Sequence, residues 1–338
     1  MDKDIASALD EIDKINPFAT YLSDSTLSRV GGWIDTGSYV LNAIISGSLH
    51  GGIPKGRVTM LAGESMTGKS LFVMKILAAA QKSGLIPVIF DTENAIDPEG
   101  AERLGLDVSK VKYVPCISTE QTRNALYKFL TSVKEKGLEG KFIVAIDSLG
   151  NLQSELSLSR MGKDNTSSDM GTNARAMKSL MQTCTNLGAV TQTTILCTNH
   201  VYDNPAALFP SIEKNMPGGK SCVYLPSVTV QLEGEMYLSF ASGLDRYYGL
   251  IDLAVGLGAV IQTGATYQLE DGKKLGYYKQ FRKNTDLWEN TILPIVESRM
   301  KAEWSYSNLE EEAPEEVAET IVEPVSTSLK GILELKEK

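Results

Sequence analysis

Residues 57–83 read RVTMLAGESMTGKSLFVMKILAAAQKS. Arg57–Gly63 is an apolar run closed by glycine, which predicts a buried strand. Gly63, Glu64, Ser65, Met66, Thr67, Gly68, Lys69 and Ser70 form the pattern G-x4-G-K-S, and from Lys69 to Ser83 apolar residues recur at helical spacing. In such a turn the glycines let backbone N–H groups converge on phosphate oxygens, while the helix start at Lys69, Ser70 and Leu71 adds a favourable field. Lys69 is placed to neutralise outer phosphates, and the Ser70 hydroxyl suits Mg²⁺. The rival, a glycine-rich turn with a surface lysine, is the weaker reading because strand and helix both flank it in the required order.

Outward from this stretch the same alternation continues. IPVIFD (86–91), FIVAID (142–147), TTILCTN (193–199) and VTVQL (228–232) read as further strands. TEQTRNALYKFLTSVKEK (119–136) reads as a helix with Leu126, Phe129, Leu130 and Val133 on one face. Residues 31–234 are therefore expected to be an α/β core, a mostly parallel sheet with helices on both faces. Residues 235–304 change to a smaller α+β region, with a helix near 247–257, a hairpin at Glu270-Asp271-Gly272 and a helix reaching Met300. At the start, Ile5, Leu9 and Ile12 share a helical face that Pro17 stops, so 1–30 read as an arm. Residues 305–338 are acidic and proline-punctuated, the composition of a disordered tail.

The chain has 338 residues, 42% of them apolar, and a formal charge of −9. That charge is uneven. Residues 309–338 hold nine acids and three bases, a net of −6, which leaves −3 for everything else. Whole-chain charge thus does not exclude a nucleic-acid face. No run of ~18 unbroken apolar residues predicts a membrane span. The start, MDKDIASALDEIDKINPF, has acids where an export signal carries bases, so a cytoplasmic protein is expected. Cys116, Cys184, Cys197 and Cys222 lack any C-x-x-C spacing and read as reduced thiols.

Two strand tips carry acids. Asp147 ends FIVAID, where a buried carboxylate is costly unless it serves a cation such as Mg²⁺. Glu93 lies just past IPVIFD and is the candidate to orient and deprotonate a water; a solvated acidic turn is its rival. A third tip, ILCTNH, ends in His200, one of only two histidines.

The order of DTGSYVLNAIISGSLHGGIPKGRVTMLAGESMTGKS, FDTENAIDP, AIDSLGNL, DMGTNARAMKSLM, TNH, MPGGK and GLDRYYGL resembles the RecA family of strand-exchange recombinases, in particular the UvsX type of tailed phages. The resemblance spans residues 31 to about 260. It implies a RecA-type ATPase that uses ATP and Mg²⁺, assembles a helical filament on single-stranded DNA and pairs it with homologous double-stranded DNA. Mediator and single-strand-binding proteins would be partners, the cytoplasm of an infected bacterium the setting. It further implies that Lys69 and Ser70 hold phosphate and magnesium, that Glu93 is the catalytic glutamate, that Asp97 reaches the adenine and that Asp147 serves the magnesium site. His200 would sense the γ-phosphate and control the loop behind it, since an imidazole can engage phosphate and a second group at once; the plainer reading is a solvated histidine at a loop start.

Two stretches expected to lack regular structure, 153–168 and 202–219, would line the filament axis. Their candidate DNA contacts are Arg160, Met161, Lys163, Phe209, Lys214, Gly218, Gly219 and Lys220, with Arg175 at a helix start nearby; each could equally be an exposed loop side chain. Phe18 could enter a neighbouring subunit or pack on its own core. After VTVQLEG, roughly thirty residues of the family's basic segment are missing by comparison. From Ser221 to Gly272 the only basic residue is Arg246. The rival readings are a ring ATPase or helicase of the same fold and, given weight by that departure, a nucleotide-binding DNA-coating protein with little turnover.

Overall fold

The computed structural model describes residues 3–304 except 17, 26, 28, 95, 161–169, 205–213, 234–237 and 240–242. Met161, Lys163, Phe209 and the acidic tail lie outside the described residues.

The apolar runs become one six-stranded sheet: β1 (Val58–Gly63), β2 (Ile86–Asp91), β3 (Lys112–Pro115), β4 (Phe142–Asp147), β5 (Thr194–His200) and β6 (Val228–Leu232). Its order is β6-β1-β5-β4-β2-β3, and every pairing is parallel. Every residue of β1 is buried, as a central strand covered on both faces requires. Three long helices supply the cover: α1 (Lys69–Lys82), α2 (Thr119–Glu135) and α3 (Met170–Val190). Leu126 and Leu130 of α2 join Met177, Leu180 and Met181 of α3 over Val144 and Ile146. On the opposite face α1 lies against β1, β2, β4 and β5, burying Phe72, Val73, Ile76 and Leu77.

The structure adds an element that hydropathy does not announce. Strand β3 is a four-residue edge, KYVP, largely exposed and with no apolar run to mark it. Two stretches expected to be irregular also carry local order. Residues 155–160 form a short helix started by Ser154, whose Oγ accepts from the Ser157 N–H at 3.1 Å. Within 202–219, Tyr202–Asp203 pairs antiparallel with Lys214–Asn215.

Packing divides the chain into two compact units, residues up to Gly37 with Ile53–Glu235, and Ser38–Gly52 with the described residues beyond 236. Residues 38–52, expected within the α/β core, thus belong to the second unit. Tyr39, Ala43 and Leu49 are buried there with Leu250, Ala254, Phe281 and the fully buried Trp288. The hydroxyls of Tyr39 and Tyr247 both donate to Glu289. The Arg246 guanidinium stacks 4.1 Å from the centre of the Tyr39 ring. This unit's three-stranded meander, Val260–Thr263, Thr266–Leu269 and Lys274–Tyr277, includes the expected hairpin, where the Lys273 N–H donates to Asp271 at 2.8 Å.

The Lys3–Ile15 helix leaves Ile5, Leu9, Ile12 and Ile15 exposed, and Phe18 is half exposed with the Lys134 ammonium 5.7 Å from its ring. Among the described residues no helix is long and apolar enough to cross a membrane.

Candidate nucleotide site at the strand tips

Parallel strands deliver their C-terminal ends to one edge of the sheet, the usual place for a ligand in such a fold. Gly63 of β1 is in register with His200 of β5, and Asp91 of β2 with Asp147 of β4. This register brings the 63–70 loop, Glu93, Asp147 and His200 to the same edge.

The loop after β1 has the backbone that its glycines predict. A Cβ added at Gly63 would lie 2.6 Å from Thr67 Oγ1 and 2.9 Å from the Leu232 carbonyl oxygen, so only glycine fits between the loop and β6. Met66 and Gly68 take left-handed conformations, at φ 66° and 84°, and turn the chain into α1. The Met66 side chain is fully exposed. Lys69 is 7% exposed, and its Nζ donates to the carbonyls of Gly63 at 2.9 Å and Glu64 at 2.6 Å. Burial lowers its pKa, while Asp147 and Glu93 oppose that shift.

Asp147 is 6% exposed, and burial raises its pKa; hydrogen bonds from Thr198 and Ser70 work the other way. A serine hydroxyl beside a buried carboxylate is a hard oxygen pair of the type Mg²⁺ takes up along with phosphate oxygens and water. Among the described residues no group of three or more His, Cys, Asp or Glu side chains could hold a metal by itself. The cradle that excludes a Cβ and the Ser70–Asp147 pair together fit a magnesium-bound phosphate.

Glu93 and His200 meet across β2 and β5: His200 Nε2 lies 3.4 Å from Glu93 Oε1, with side chains 32% and 31% exposed. Ser148 Oγ donates to the same Glu93 oxygen at 2.8 Å. Ser148 is itself held by Thr92, whose hydroxyl accepts from the Ser148 N–H at 2.8 Å. The turn carrying Glu93 is fixed by Asp91, whose Oδ1 accepts from the N–H groups of Glu93 and Asn94, both at 2.9 Å. Behind His200, Asn199 Nδ2 donates to the Pro217 carbonyl at 3.0 Å, joining the end of β5 to the end of the 201–217 stretch. Ser148, Thr198, Thr92 and Asn199 had no signal of their own in the sequence. They flank the readable acids and the histidine, and adjacency was the only clue.

Asp97 caps the Pro98–Arg103 helix, accepting from the N–H groups of Glu99 and Gly100, and pairs with Arg103. Gly218 packs against α3: a Cβ there would meet Met177 Cγ at 2.7 Å and Cys222 Sγ at 2.8 Å. Gly219 is left-handed at φ 77° and Lys220 exposed. Arg175 lies exposed in α3 and Arg160 exposed at the end of its short helix. Lys214 is only 10% exposed at its side chain and pairs with Asp203 and, at 3.2 Å, with Glu64. All four cysteines are free and buried.

Comparison with known proteins agrees with this geometry. The RecA N-terminal domain family matches residues 3–239. Protein RecA of Frankia alni is 27% identical over 344 residues, covering 88% of this chain and 95% of its own length. Protein RecA of Heliobacterium modesticaldum is 25% identical over 304 residues (80% and 84%), and that of Aquifex aeolicus 24% over 316 (84% and 88%). With a phosphate loop, a strand-tip acid pair and a histidine converging on one edge of a parallel sheet, and a family match over most of its length, the chain belongs to the RecA family.

Proposed function

We propose that this chain is an ATP-dependent DNA recombinase of the UvsX type, assembling filaments on single-stranded DNA and catalysing homologous pairing and strand exchange. The observation that carries the proposal is the 3.4 Å approach of His200 to Glu93 at the point where β5 leads into the 201–220 stretch. A residue that touches the candidate base and begins that stretch can register the nucleotide and transmit its state. Lys69 and the backbone of residues 63–71 would hold the phosphates of ATP. Ser70 and Asp147 would hold Mg²⁺, which neutralises charge on the phosphate oxygens. Glu93, to which Ser148 donates, would orient and deprotonate water. Single- and double-stranded DNA, further copies of the chain and mediator or single-strand-binding proteins are the partners of this reading, and the cytoplasm of an infected bacterium its setting.

The missing basic segment keeps a DNA-coating protein with little turnover in view. Among the described residues between Leu232 and Arg246, the only paired strands are the two-residue ladder of Leu238–Ser239 with Gly243–Leu244. Arg246, the one base available as a substitute, is engaged with Tyr39. ATP turnover with and without single-stranded DNA, alongside electron microscopy with a non-hydrolysable analogue, decides among the readings. The recombinase reading expects helical filaments, and turnover that Glu93→Gln lowers by at least 100-fold. Hexameric rings would favour a helicase, and filaments without turnover the coating protein. A monomer indifferent to oligonucleotides defeats all three.

A further inference from the structure

Glu64 is the meeting point of two cations that belong to different parts of the first unit. Its main-chain oxygen accepts from Lys69 Nζ at 2.6 Å and from Thr67 Oγ1 at 2.9 Å. Its carboxylate pairs with Lys214 Nζ at 3.2 Å, and the same ammonium is held by Asp203. Lys214 and Asp203 are also backbone partners in the antiparallel ladder that closes the base of the 202–215 segment. The loop that reads as a phosphate cradle is thus fastened to that ladder through one side chain.

We infer that the Lys214–Glu64 ion pair couples nucleotide at the phosphate loop to the 202–215 ladder, making Lys214 a positioning residue and not a DNA contact. The inference rests on the phosphate reading of the loop. A triphosphate entering there draws the Lys69 ammonium from the Glu64 carbonyl, repels the Glu64 carboxylate and attracts Lys214. The last two effects weaken the pair as it now stands, and the first frees the loop backbone that carries it. Lys214 lies between two acids with little of its side chain open to water, so loss of Glu64 favours another anionic partner, a discrete exchange and not a graded one. Asp203 keeps it tethered to the ladder meanwhile, so the exchange moves backbone as well as a side chain. A DNA-binding lysine would be presented to solvent; this one has a 10% exposed side chain between two acids.

The test is a double-mutant cycle on the full chain. Affinity for a fluorescein-labelled oligo-dT is measured with and without a non-hydrolysable ATP analogue and Mg²⁺. The wild type, Lys214→Met, Glu64→Gln, the double variant and Lys214→Arg are compared, and folding is checked by thermal melting. The expected result is that each neutralising variant cuts the nucleotide-induced gain in DNA affinity about tenfold, which is about 1.4 kcal/mol. The double variant should lose no more than either single one, and Lys214→Arg should restore most of the gain. If Lys214→Met fails to fold, Glu64→Gln, on a 63% exposed side chain, carries the test alone. A Lys214→Met variant weakened equally in both nucleotide states, with a salt slope lower by about one and Glu64→Gln silent, overturns the inference in favour of a phosphate contact. A wild type that responds to nucleotide while the variants respond equally overturns the inference alone. A wild type that ignores nucleotide overturns the reading of the site, and this inference with it.

Discussion

Burial holds the Asp147 carboxyl above the usual carboxylate range, with Glu93 and Asp91 adding like-charge repulsion; Thr198 and Ser70 recover only part of that shift. The folded chain therefore binds this proton more tightly than the unfolded chain does. Its contribution to stability is present at low pH and is lost as pH rises from the ordinary carboxylate value through the folded one. Ionisation of this group therefore costs the nucleotide-free fold, and a cation held there would offset that cost. Asp147→Asn is expected to raise the melting temperature of the nucleotide-free protein at pH 7 and to abolish the extra stabilisation from Mg²⁺ with nucleotide. A lower melting temperature for this variant would sink the argument. At this scale the placement of Lys69 and Ser70 after β1, and of Asp147 and His200 at strand tips, was legible because motif and strand end are tied to spacing; their roles belong to the proposal. The Lys214–Glu64 pair has no sequence signal, because the two residues lie 150 positions apart and the motif around Glu64 gives no hint of a side-chain partner.

Among elements, the long periodic ones were legible and the short ones were not. β1, β2, β4, β5 and β6 lie within a residue of the apolar runs that announced them. Residues 119–136 were expected to bury Leu126, Phe129, Leu130 and Val133; three of these are buried and Phe129 packs partly exposed on the same cluster. Edge strand β3 and the paired stubs at 202–203 and 214–215 escape notice because two to four residues carry no measurable period. The Glu155–Arg160 helix could have been found from Ser154 and its following acid, a capping signal that was passed over. The α2–α3 contact supports an element-scale prediction. Leu126 is fully buried between these helices and the sheet, so Leu126→Ala should destabilise the first unit by about 2–5 kcal/mol. Chemical denaturation followed by hydrogen exchange should show the loss across β4 and α3 with little change in residues 247–303. Equal loosening of both units would refute it.

For the molecule as a whole, charge is segregated along the chain, with −6 of the net −9 in residues 309–338. An anionic segment of that density competes with DNA for basic surface at low ionic strength and is screened at high salt. Truncation after Asn308 should therefore raise duplex affinity several-fold near 20 mM salt, with both forms converging near 0.3 M, where the Debye length falls to about 6 Å. Superimposable salt titrations would leave the segment a solubility device. The α/β class was visible in the sequence. The membership of Ser38–Gly52 in the second unit was not, because a buried amphipathic helix does not state which core it enters.

That membership fixes an order of events during synthesis. Tyr39 emerges from the ribosome 250 residues before Glu289, the acid its hydroxyl binds, and Ser48 precedes Glu297 by 249. Ile53–Glu235 can collapse as soon as it is translated, whereas Ser38–Gly52 must wait, unpartnered, for the distal half to arrive. Nascent chains stalled short of Glu289 would leave this early helix open to chaperones.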